Sequence, residues 1–362
     1  MFGYSILEIL VCLIAGVALL EDVLLILMFR PFTYHPAKEP LPRISVLLAM
    51  RDEEDNVDRC LYAVRALDYP PDRMEILVGD DSSSDNTWKK LQRHAQEDNR
   101  IHLYKITGQA GVARGKANVL AQLIDHTTSD YFLITDADVA VSSSWARAMT
   151  ADVPAGVGLV NGLTAVDGNI FQHLEWIHAQ GMMHVLQQFT PVTAIGNNMM
   201  VTRKAYKSTG GFETISFSVT EDFALTREVI KKGFRLQSRL SYETHGTTLA
   251  EGSFAALLSQ RKRWMQGAVR LQPGIVSLLL VRAFYYPAIL IMFFFFPVAG
   301  ALVFLVKSLL QAGLIVKADR QTSRRTPFYG YLLFELYECA MIWLEILIYL
   351  VPGKVRWKGR DF

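Results

Sequence analysis

The sequence predicts an α/β domain with a mostly parallel sheet, placed between two hydrophobic ends. Apolar β-type runs alternate with helix-type stretches from residue 44 to residue 135, as a parallel sheet covered on both faces requires. Carboxylates follow two of these runs, at Asp80-Asp81 and Asp136-Ala137-Asp138, which is the sheet edge where ligands collect. The apolar fraction of 51% exceeds that of an ordinary soluble domain. We predict three regions: an N-terminal transmembrane helix (1–30), a ligand-binding catalytic domain (31–272), and C-terminal membrane helices with a basic tail (273–362).

The elements of the predicted sheet follow one another closely. Continuous apolar runs, typical of strands buried on both faces, predict strands at 44–49, 75–79, 101–106 and 131–135. The stretches between these runs predict helices at 53–67, 85–98 and 116–126. Glycines between 108 and 115 predict a flexible loop and not a Walker loop, because no Gly-Lys-Ser/Thr follows at the required spacing.

The N-terminal segment, 4–29, is long enough to cross a hydrocarbon core. Three acidic residues interrupt it, Glu8, Glu21 and Asp22. A cleaved signal peptide is disfavoured because the segment has no basic start. Basic residues follow the segment at Arg30, Lys38 and Arg43, and none precedes it. The positive-inside rule therefore predicts an integral membrane protein whose catalytic domain faces the cytoplasm.

The C-terminal hydrophobic region allows two topologies. Residues 274–316 suit two crossings joined near Pro297, or one crossing and a surface helix. A further segment, 329–351, carries Glu335, Glu338 and Glu345. Basic residues at 317–325 and 354–360 both favour the cytoplasm, which requires an even number of crossings between them. This favours a hairpin and then an interfacial helix with its glutamates near the headgroups. A third crossing with the glutamates turned inward stays open.

Composition disfavours several other kinds of site. The net charge is +2 and the sequence contains no run of like charges, so nothing favours nucleic acid as a partner. Three scattered cysteines, Cys12, Cys60 and Cys339, predict neither a disulfide framework nor a metal knuckle. Three histidines lie on the helical pattern of 171–189: His173, His178 and His184. Because their spacing is not that of a metal-binding pair, we predict a membrane-facing or acceptor-facing helix instead.

Four polar signatures stand in order along the chain. They are Asp80-Asp81, Asp136-Ala137-Asp138, Thr220-Glu221-Asp222 and Gln260-Arg261-Lys262-Arg263-Trp264. Aspartate oxygens are the hard ligands that Mg²⁺ or Mn²⁺ prefers, and a further carboxylate can accept a proton. In the last signature Gln260 and Trp264 lie one helical turn apart, on one face of a helix. Together the signatures indicate a site that holds a divalent cation and a diphosphate.

With these motifs, residues 42–270 resemble an inverting family 2 glycosyltransferase of the GT-A fold, the group that contains cellulose, hyaluronan and ceramide glucosyl synthases. The family opening Arg-Asn-Glu-Glu reads Arg51-Asp52-Glu53-Glu54 here. The resemblance implies that Asp222 is the general base for the acceptor hydroxyl. It implies a donor site for a nucleotide-diphosphate sugar, with a UDP-sugar favoured, formed by Ala49, Arg51, Glu53, Asp80, Asp81, Lys116, Asp136 and Asn197.

The resemblance also implies a cation and an acceptor site. A divalent cation, Mg²⁺ or Mn²⁺, would be held by Asp136 and Asp138. The acceptor or the diphosphate would contact Glu221, Gln260, Arg263 and Trp264. The neighbouring Arg261 and Lys262 are expected to lie on anionic headgroups.

Two functions of such a transferase stay open. One is a glycolipid-forming enzyme that adds one or a few sugars to a membrane lipid, and the other is a processive polysaccharide synthase. Three or four hydrophobic segments are few for lining a polymer channel alone, which favours the lipid acceptor. A non-enzymatic scaffold with a decayed transferase domain is disfavoured, because every carboxylate that the resemblance requires is present. The expected partners are a nucleotide-sugar donor, a lipid or glycan acceptor, and the membrane.

Overall fold

The computed structural model describes residues 6–37, 39–322 and 324–352, and the backbone of two short strands after them. Lys38, Lys354 and Lys358, which entered the topology prediction, lie outside the described residues, as do the side chains of Arg356 and Arg360. The chain divides into two compact units. The sheet unit comprises Pro31–Gly168, Gln187–Ala250 and Arg356–Phe362, and the helical unit comprises Met1–Arg30, Asn169–Leu186 and Glu251–Val355.

The sheet unit contains a seven-stranded sheet in the order β3-β2-β1-β4-β8-β6-β9 and a three-stranded sheet in the order β5-β10-β7. The strands are β1 Ile44–Met50, β2 Met74–Asp80, β3 Ile101–Lys105, β4 Tyr131–Asp136, β5 Ala140–Val141, β6 Val157–Asn161, β7 Leu163–Asp167, β8 Asn198–Thr202, β9 Arg235–Ser238, β10 His245–Leu249, β11 Arg356–Trp357 and β12 Arg360–Asp361. Strands β1 to β4 pair in parallel, whereas β8 runs antiparallel to both β4 and β6. The predicted α/β class with a mainly parallel central sheet is therefore confirmed.

The helices of the sheet unit cover both faces of the large sheet. They are α2 Val57–Arg65, α3 Thr87–Glu97, α4 Lys116–Asp125, α5 Trp145–Thr150, α7 Arg203–Ser208 and α8 Glu221–Lys231. Consecutive residues of β1 belong to different cores, since Leu47 packs in one hydrophobic cluster and Leu48 in the other. This explains why the strand is apolar at consecutive positions from Val46 to Met50 instead of at alternate ones.

The helical unit consists of α1 Ile6–Met28, α6 Ile170–Leu186, α9 Phe254–Ala268, α10 Pro273–Phe295, α11 Pro297–Asp319 and α12 Phe328–Leu350. Within the described part of the chain, α1, α10 and α11 are the helices long and apolar enough to cross a membrane. The predicted hairpin agrees with this result, because α10 ends at Phe295 and α11 begins at Pro297. Such helices fit association with a membrane.

The favoured placement of the α12 glutamates is wrong, and the inward placement that was left open is the one observed. The glutamates of α12 were expected near the headgroups, but Glu335 is 2% exposed and Glu338 is 8% exposed. Lys307 of α11 donates to both Glu335 oxygens, at 2.9 and 3.0 Å, and Tyr286 of α10 donates to Glu338 at 2.9 Å. The glutamates are turned inward because buried carboxylates need cationic or hydroxyl partners, which only the neighbouring helices supply.

Helix α6 carries three histidines on a face that is buried inside the helical unit. His173 pairs with Asp319 at 2.7 Å, and His178 pairs with Glu338 at 2.8 Å. His184 contacts the carbonyl oxygen of Arg30 at 2.7 Å. These ties place α6 in the same compact unit as the terminal helices.

Candidate active site

The site lies at the carboxyl ends of the parallel strands. Ala49 at the end of β1 is in register with Gly79 on β2 and with Asp136 on β4. Parallel pairing therefore brings two of the four predicted signatures, Asp80-Asp81 and Asp136-Ala137-Asp138, to one edge although they are far apart in sequence. The side chain of Ala49 is small, so this edge is open beside Asp136.

The first part of the edge is formed by the residues after β1 and β2. Arg51 donates from Nη1 to the carbonyl oxygen of Asp81 at 2.5 Å, and the same nitrogen lies 4.0 Å from the Asp81 carboxylate. Asp80 is 4% exposed, and its Oδ1 is buried with no hydrogen-bond partner among the described residues. Glu53 accepts a hydrogen bond from Asn56 at 2.8 Å, which holds it beside this edge. An oxygen such as Asp80 Oδ1 is costly to bury unless a ligand supplies a donor.

Lys116, the first residue of α4, lies among carboxylates. Its Nζ is 2.5 Å from Asp136 Oδ1 and 3.1 Å from Glu221 Oε1, and it donates to the carbonyl oxygen of Gly196 at 2.9 Å. Burial alone would lower the pKa of Lys116, but Asp136, Glu221 and Asp222 together hold that pKa above its usual value. Lys116, which belongs to the expected donor site, thus links two acidic motifs.

Asp222 lies in the first turn of α8, which begins at Glu221. Its Oδ2 accepts from the backbone N–H of Gly196 at 2.8 Å, and its Oδ1 accepts from the backbone N–H of Phe223 at 2.7 Å. Burial first, and then the neighbouring Glu221, raise the pKa of Asp222 to about 6, against the lowering effect of Lys116. The carboxylate is thus held in place and is more basic than an ordinary aspartate.

Gly196 makes this close approach possible. A Cβ built at Gly196 would lie 3.1 Å from Asp222 Oδ2 and 3.2 Å from Glu221 Oε1. Any larger residue would push the two carboxylates away from the loop that holds them. Gly196 precedes Asn197, a residue of the expected donor site.

Asp138 is fixed by Thr248 and Arg59, which lie outside the four sequence signatures. Its Oδ2 accepts from the hydroxyl of Thr248 at 2.8 Å, and its carbonyl oxygen accepts from Arg59 at 2.6 Å. Burial raises the pKa of both Asp136 and Asp138, and nearby carboxylates add to the effect, including Asp138 on Asp136 and Glu53 on Asp138. No local signal identifies Thr248, because it follows Asp138 by 110 residues.

Asn197 was expected to contact a donor sugar. Its side-chain oxygen accepts from the hydroxyl of Thr164 at 3.1 Å, and its carbonyl oxygen accepts from Thr135 at 2.9 Å. The next residue, Asn198, is fully buried and accepts from the indole N–H of Trp145 at 2.8 Å. These bonds fasten the loop after α6 to the strands beside the site.

The last signature lies on α9, in the helical unit. Gln260 donates to Glu251 at 2.7 Å, and the ring of Trp264 stacks on Trp176 with 4.6 Å between centroids. The expectation that Arg261 lies on headgroups is wrong, because Arg261 is 3% exposed and donates to both oxygens of Glu175, each at 2.7 Å. A buried guanidinium needs such a bidentate partner, and Glu175 lies on α6, 86 residues away in sequence.

The fold is that of the GT-A glycosyltransferases. A solved structure of the mannosyltransferase PcManGT from Pyrobaculum calidifontis, in complex with GDP-Man and Mn²⁺, has a TM-score of 0.60 with this chain. The likeness covers 95% of this chain and 99% of that chain at 17% sequence identity, so it is a likeness of fold alone. The family model described as Glycosyl transferase family 21 matches residues 8–362, and the chain belongs to that family. The expected class of enzyme and the GT-A fold are confirmed.

Curated relatives divide between two kinds of product. The chain is similar to a beta-monoglucosyldiacylglycerol synthase of Synechocystis sp., with 26% identity over 242 residues, which are 63% of this chain and 48% of the relative. It is also similar to a poly-beta-1,6-N-acetyl-D-glucosamine synthase of Staphylococcus aureus, with 26% identity over 255 residues, or 66% of this chain and 59% of the relative. The chain spans about half the length of the curated relatives it matches.

Proposed function

We propose that the protein transfers a sugar, with inversion, from a nucleotide-diphosphate donor to a hydroxyl group of a membrane lipid. The observation that carries this proposal is the acidic cluster at the carboxyl ends of the strands. There Lys116 bridges Asp136 and Glu221, and Gly196 holds Asp222 beside them. The cluster contains one carboxylate suited to proton transfer and others suited to a cation, which are the two needs of this reaction.

Asp222 is the proposed general base. An inverting transfer needs a carboxylate that takes the proton of the acceptor hydroxyl as the new glycosidic bond forms. With a pKa of about 6, Asp222 is mostly ionised at neutral pH and is still a stronger base than an exposed aspartate. The N–H groups of Gly196 and Phe223 orient the carboxylate for this step.

Asp136 and Asp138 fit a divalent cation. Both are carboxylates at one strand end, and burial together with neighbouring carboxylates raises the pKa of each, so a cation would relieve repulsion there. Among the described residues, no three His, Cys, Asp or Glu side chains are grouped so that they could hold a metal alone. Mg²⁺ commonly takes one or two carboxylates and completes its shell with substrate phosphates and water. When bound, the cation would stabilise charge on the departing diphosphate.

The donor nucleotide is proposed to lie along the ends of β1 and β2. The unpartnered oxygen of Asp80 suits an N–H group of the base, and a uracil ring offers one such donor. Arg51 keeps Asp81 tied to the strand end, which leaves Asp80 as the better candidate for contact with the base. We therefore favour a UDP-sugar as the donor.

A lipid acceptor is favoured over a growing polymer. Three helices in the described part of the chain are long and apolar enough to cross a membrane. Three of the relatives are named as beta-monoglucosyldiacylglycerol synthases, and a diacylglycerol is a lipid. The polymer alternative rests on the poly-N-acetylglucosamine synthases, which are equally similar. The basic residues that follow α1, Arg30 and Arg43, favour a sheet unit on the cytoplasmic side, where nucleotide sugars are made.

Product analysis tests the proposal. The purified protein in lipid vesicles is given radiolabelled UDP-sugars one at a time, with Mg²⁺ or Mn²⁺, and the products are extracted with organic solvent and sized. A short, extractable product that is absent with Asp222→Asn supports lipid glycosylation. Long water-soluble or precipitating chains, growing with donor supply, would establish the polymer synthase instead.

A further inference from the structure

We infer that Thr248 is a positioning residue that sets the orientation of the Asp138 carboxylate for a divalent cation; the inference rests on the cation role proposed above. The Thr248 hydroxyl donates to Asp138 Oδ2 at 2.8 Å, and Thr248 is only 6% exposed. A hydrogen bond to one carboxylate oxygen fixes the rotation of the whole group, and so fixes the direction of the other oxygen.

The backbone around this contact is also held in place. Arg59 of α2 donates from Nη1 to the carbonyl oxygen of Asp138 and from Nη2 to the carbonyl oxygen of Thr247, each at 2.6 Å. One guanidinium therefore joins the turn that carries Asp138 to strand β10, which carries Thr248. Because both ends of the hydroxyl–carboxylate bond are anchored, the bond has little freedom to shift.

Strand β10 lies close to that turn for two reasons. It pairs antiparallel with β5, Thr247 opposite Ala140, and β5 begins two residues after Asp138. Gly246 removes the side chain that would separate the two segments, since a Cβ there would lie 3.0 Å from Val139. The small sheet thus serves to bring one threonine hydroxyl to one catalytic-site carboxylate.

The chain offers a matched control one residue away. Thr247 is on the opposite face of β10, where its hydroxyl lies 3.3 Å from His245 Nε2. Thr248→Val keeps the shape of the side chain and removes the donor, whereas Thr248→Ser keeps the donor. Thr247→Val makes the same chemical change on the other face.

The experiment measures binding of Mn²⁺ to the full chain in nanodiscs by electron paramagnetic resonance, with UDP present to supply the phosphates that complete the cation's shell. We expect Thr248→Val to weaken Mn²⁺ binding by about 10-fold or more, as loss of an outer-shell partner does, while Thr248→Ser and Thr247→Val stay within about 3-fold of the wild type. Mg²⁺ should displace Mn²⁺ more readily from Thr248→Val than from the wild type. In steady-state assays the Mn²⁺ concentration for half-maximal rate should rise by the same factor, with a smaller effect on the rate at saturating Mn²⁺.

Three results would overturn the inference. Wild-type affinity in Thr248→Val would show that the hydroxyl does not orient Asp138, and an equal loss in Thr247→Val would show a general effect on β10. In the third result the wild type does not bind Mn²⁺ and still transfers sugar in the presence of chelator. This result would overturn both the proposed cation role and this inference, whereas the first two would overturn this inference alone. Should Thr248→Val not fold, as judged by circular dichroism, the same comparison is made with Thr248→Ala.

Discussion

Replacement of Asp222 by asparagine should lower the transfer rate strongly and change the stability of the protein little. The change keeps the size of the side chain and removes its ability to take a proton. We expect the transfer rate to fall by about 10²–10⁴-fold, the usual contribution of a general base, while donor binding changes little. Asparagine has one acceptor oxygen where aspartate has two. The N–H of either Gly196 or Phe223 would then face the amide NH₂ group and lose its hydrogen bond.

The effect on stability follows from two opposing contributions. Losing one of the two accepted hydrogen bonds costs about 1–3 kcal/mol. Against this, burial and Glu221 raise the pKa of Asp222 from 3.8 to about 6, which disfavours its ionised form in the folded protein by about 3 kcal/mol, and asparagine removes that penalty. At neutral pH the variant should therefore be as stable as the wild type, within about 2 kcal/mol, despite its loss of activity.

The sign of the pH dependence gives a sharper test. Because the folded-state pKa of Asp222 is raised, the wild type loses stability as the pH rises from about 4 to about 6, and this loss is complete above pH 6. The stability of Asp222→Asn relative to the wild type should therefore increase over that window and then level off. For catalysis the wild-type rate should fall below pH 6, with about a tenth of the carboxylate ionised at pH 5.

The assays are transfer of radiolabelled sugar, donor binding by calorimetry, and thermal unfolding in nanodiscs between pH 4 and pH 8. Asp222→Glu is the matched control, since it keeps a carboxylate in a slightly different position. The reasoning is refuted if Asp222→Asn keeps more than about a tenth of the rate. It is equally refuted if donor affinity falls in proportion to the rate, which would make Asp222 a donor-binding residue.

Three further predictions follow from the described contacts. Asp138→Asn should abolish turnover and weaken metal-dependent donor binding with the fold intact, and normal activity of this variant in chelator-treated membranes would exclude a role in cation binding. Lys116→Met removes a cation that lowers the pKa of Asp222, so the acid limb of the pH–rate profile should move above pH 6; an unchanged limb contradicts the coupling. In the helical unit, Arg282→Leu leaves Asp22 without its 2.8 Å partner and should cost about 3–5 kcal/mol of unfolding free energy, whereas Arg282→Lys should cost less; equal losses would refute the ion-pair account.

The local pattern of the chain was enough to predict much of the catalytic architecture. Strands β1 to β4 were predicted within one or two residues of their observed ends, because strands buried on both faces are continuous apolar runs. Once the strands were taken as parallel, the carboxylates that follow β2 and β4 had to meet at one edge. The helices long and apolar enough to cross a membrane could also be predicted, since length and hydropathy are properties of a single segment.

The partners of those residues could be learned only from the tertiary structure. Thr248 reaches Asp138 across 110 residues of sequence, and Arg261 reaches Glu175 across 86, through contacts that depend on how separate segments pack. The sequence by itself determined which residue types and elements are present, because hydrophobic period and length act locally. Only the folded chain decided that Lys116 lies between two acidic motifs and that the α12 glutamates turn inward, because a buried charge takes its position from whichever distant group can neutralise it.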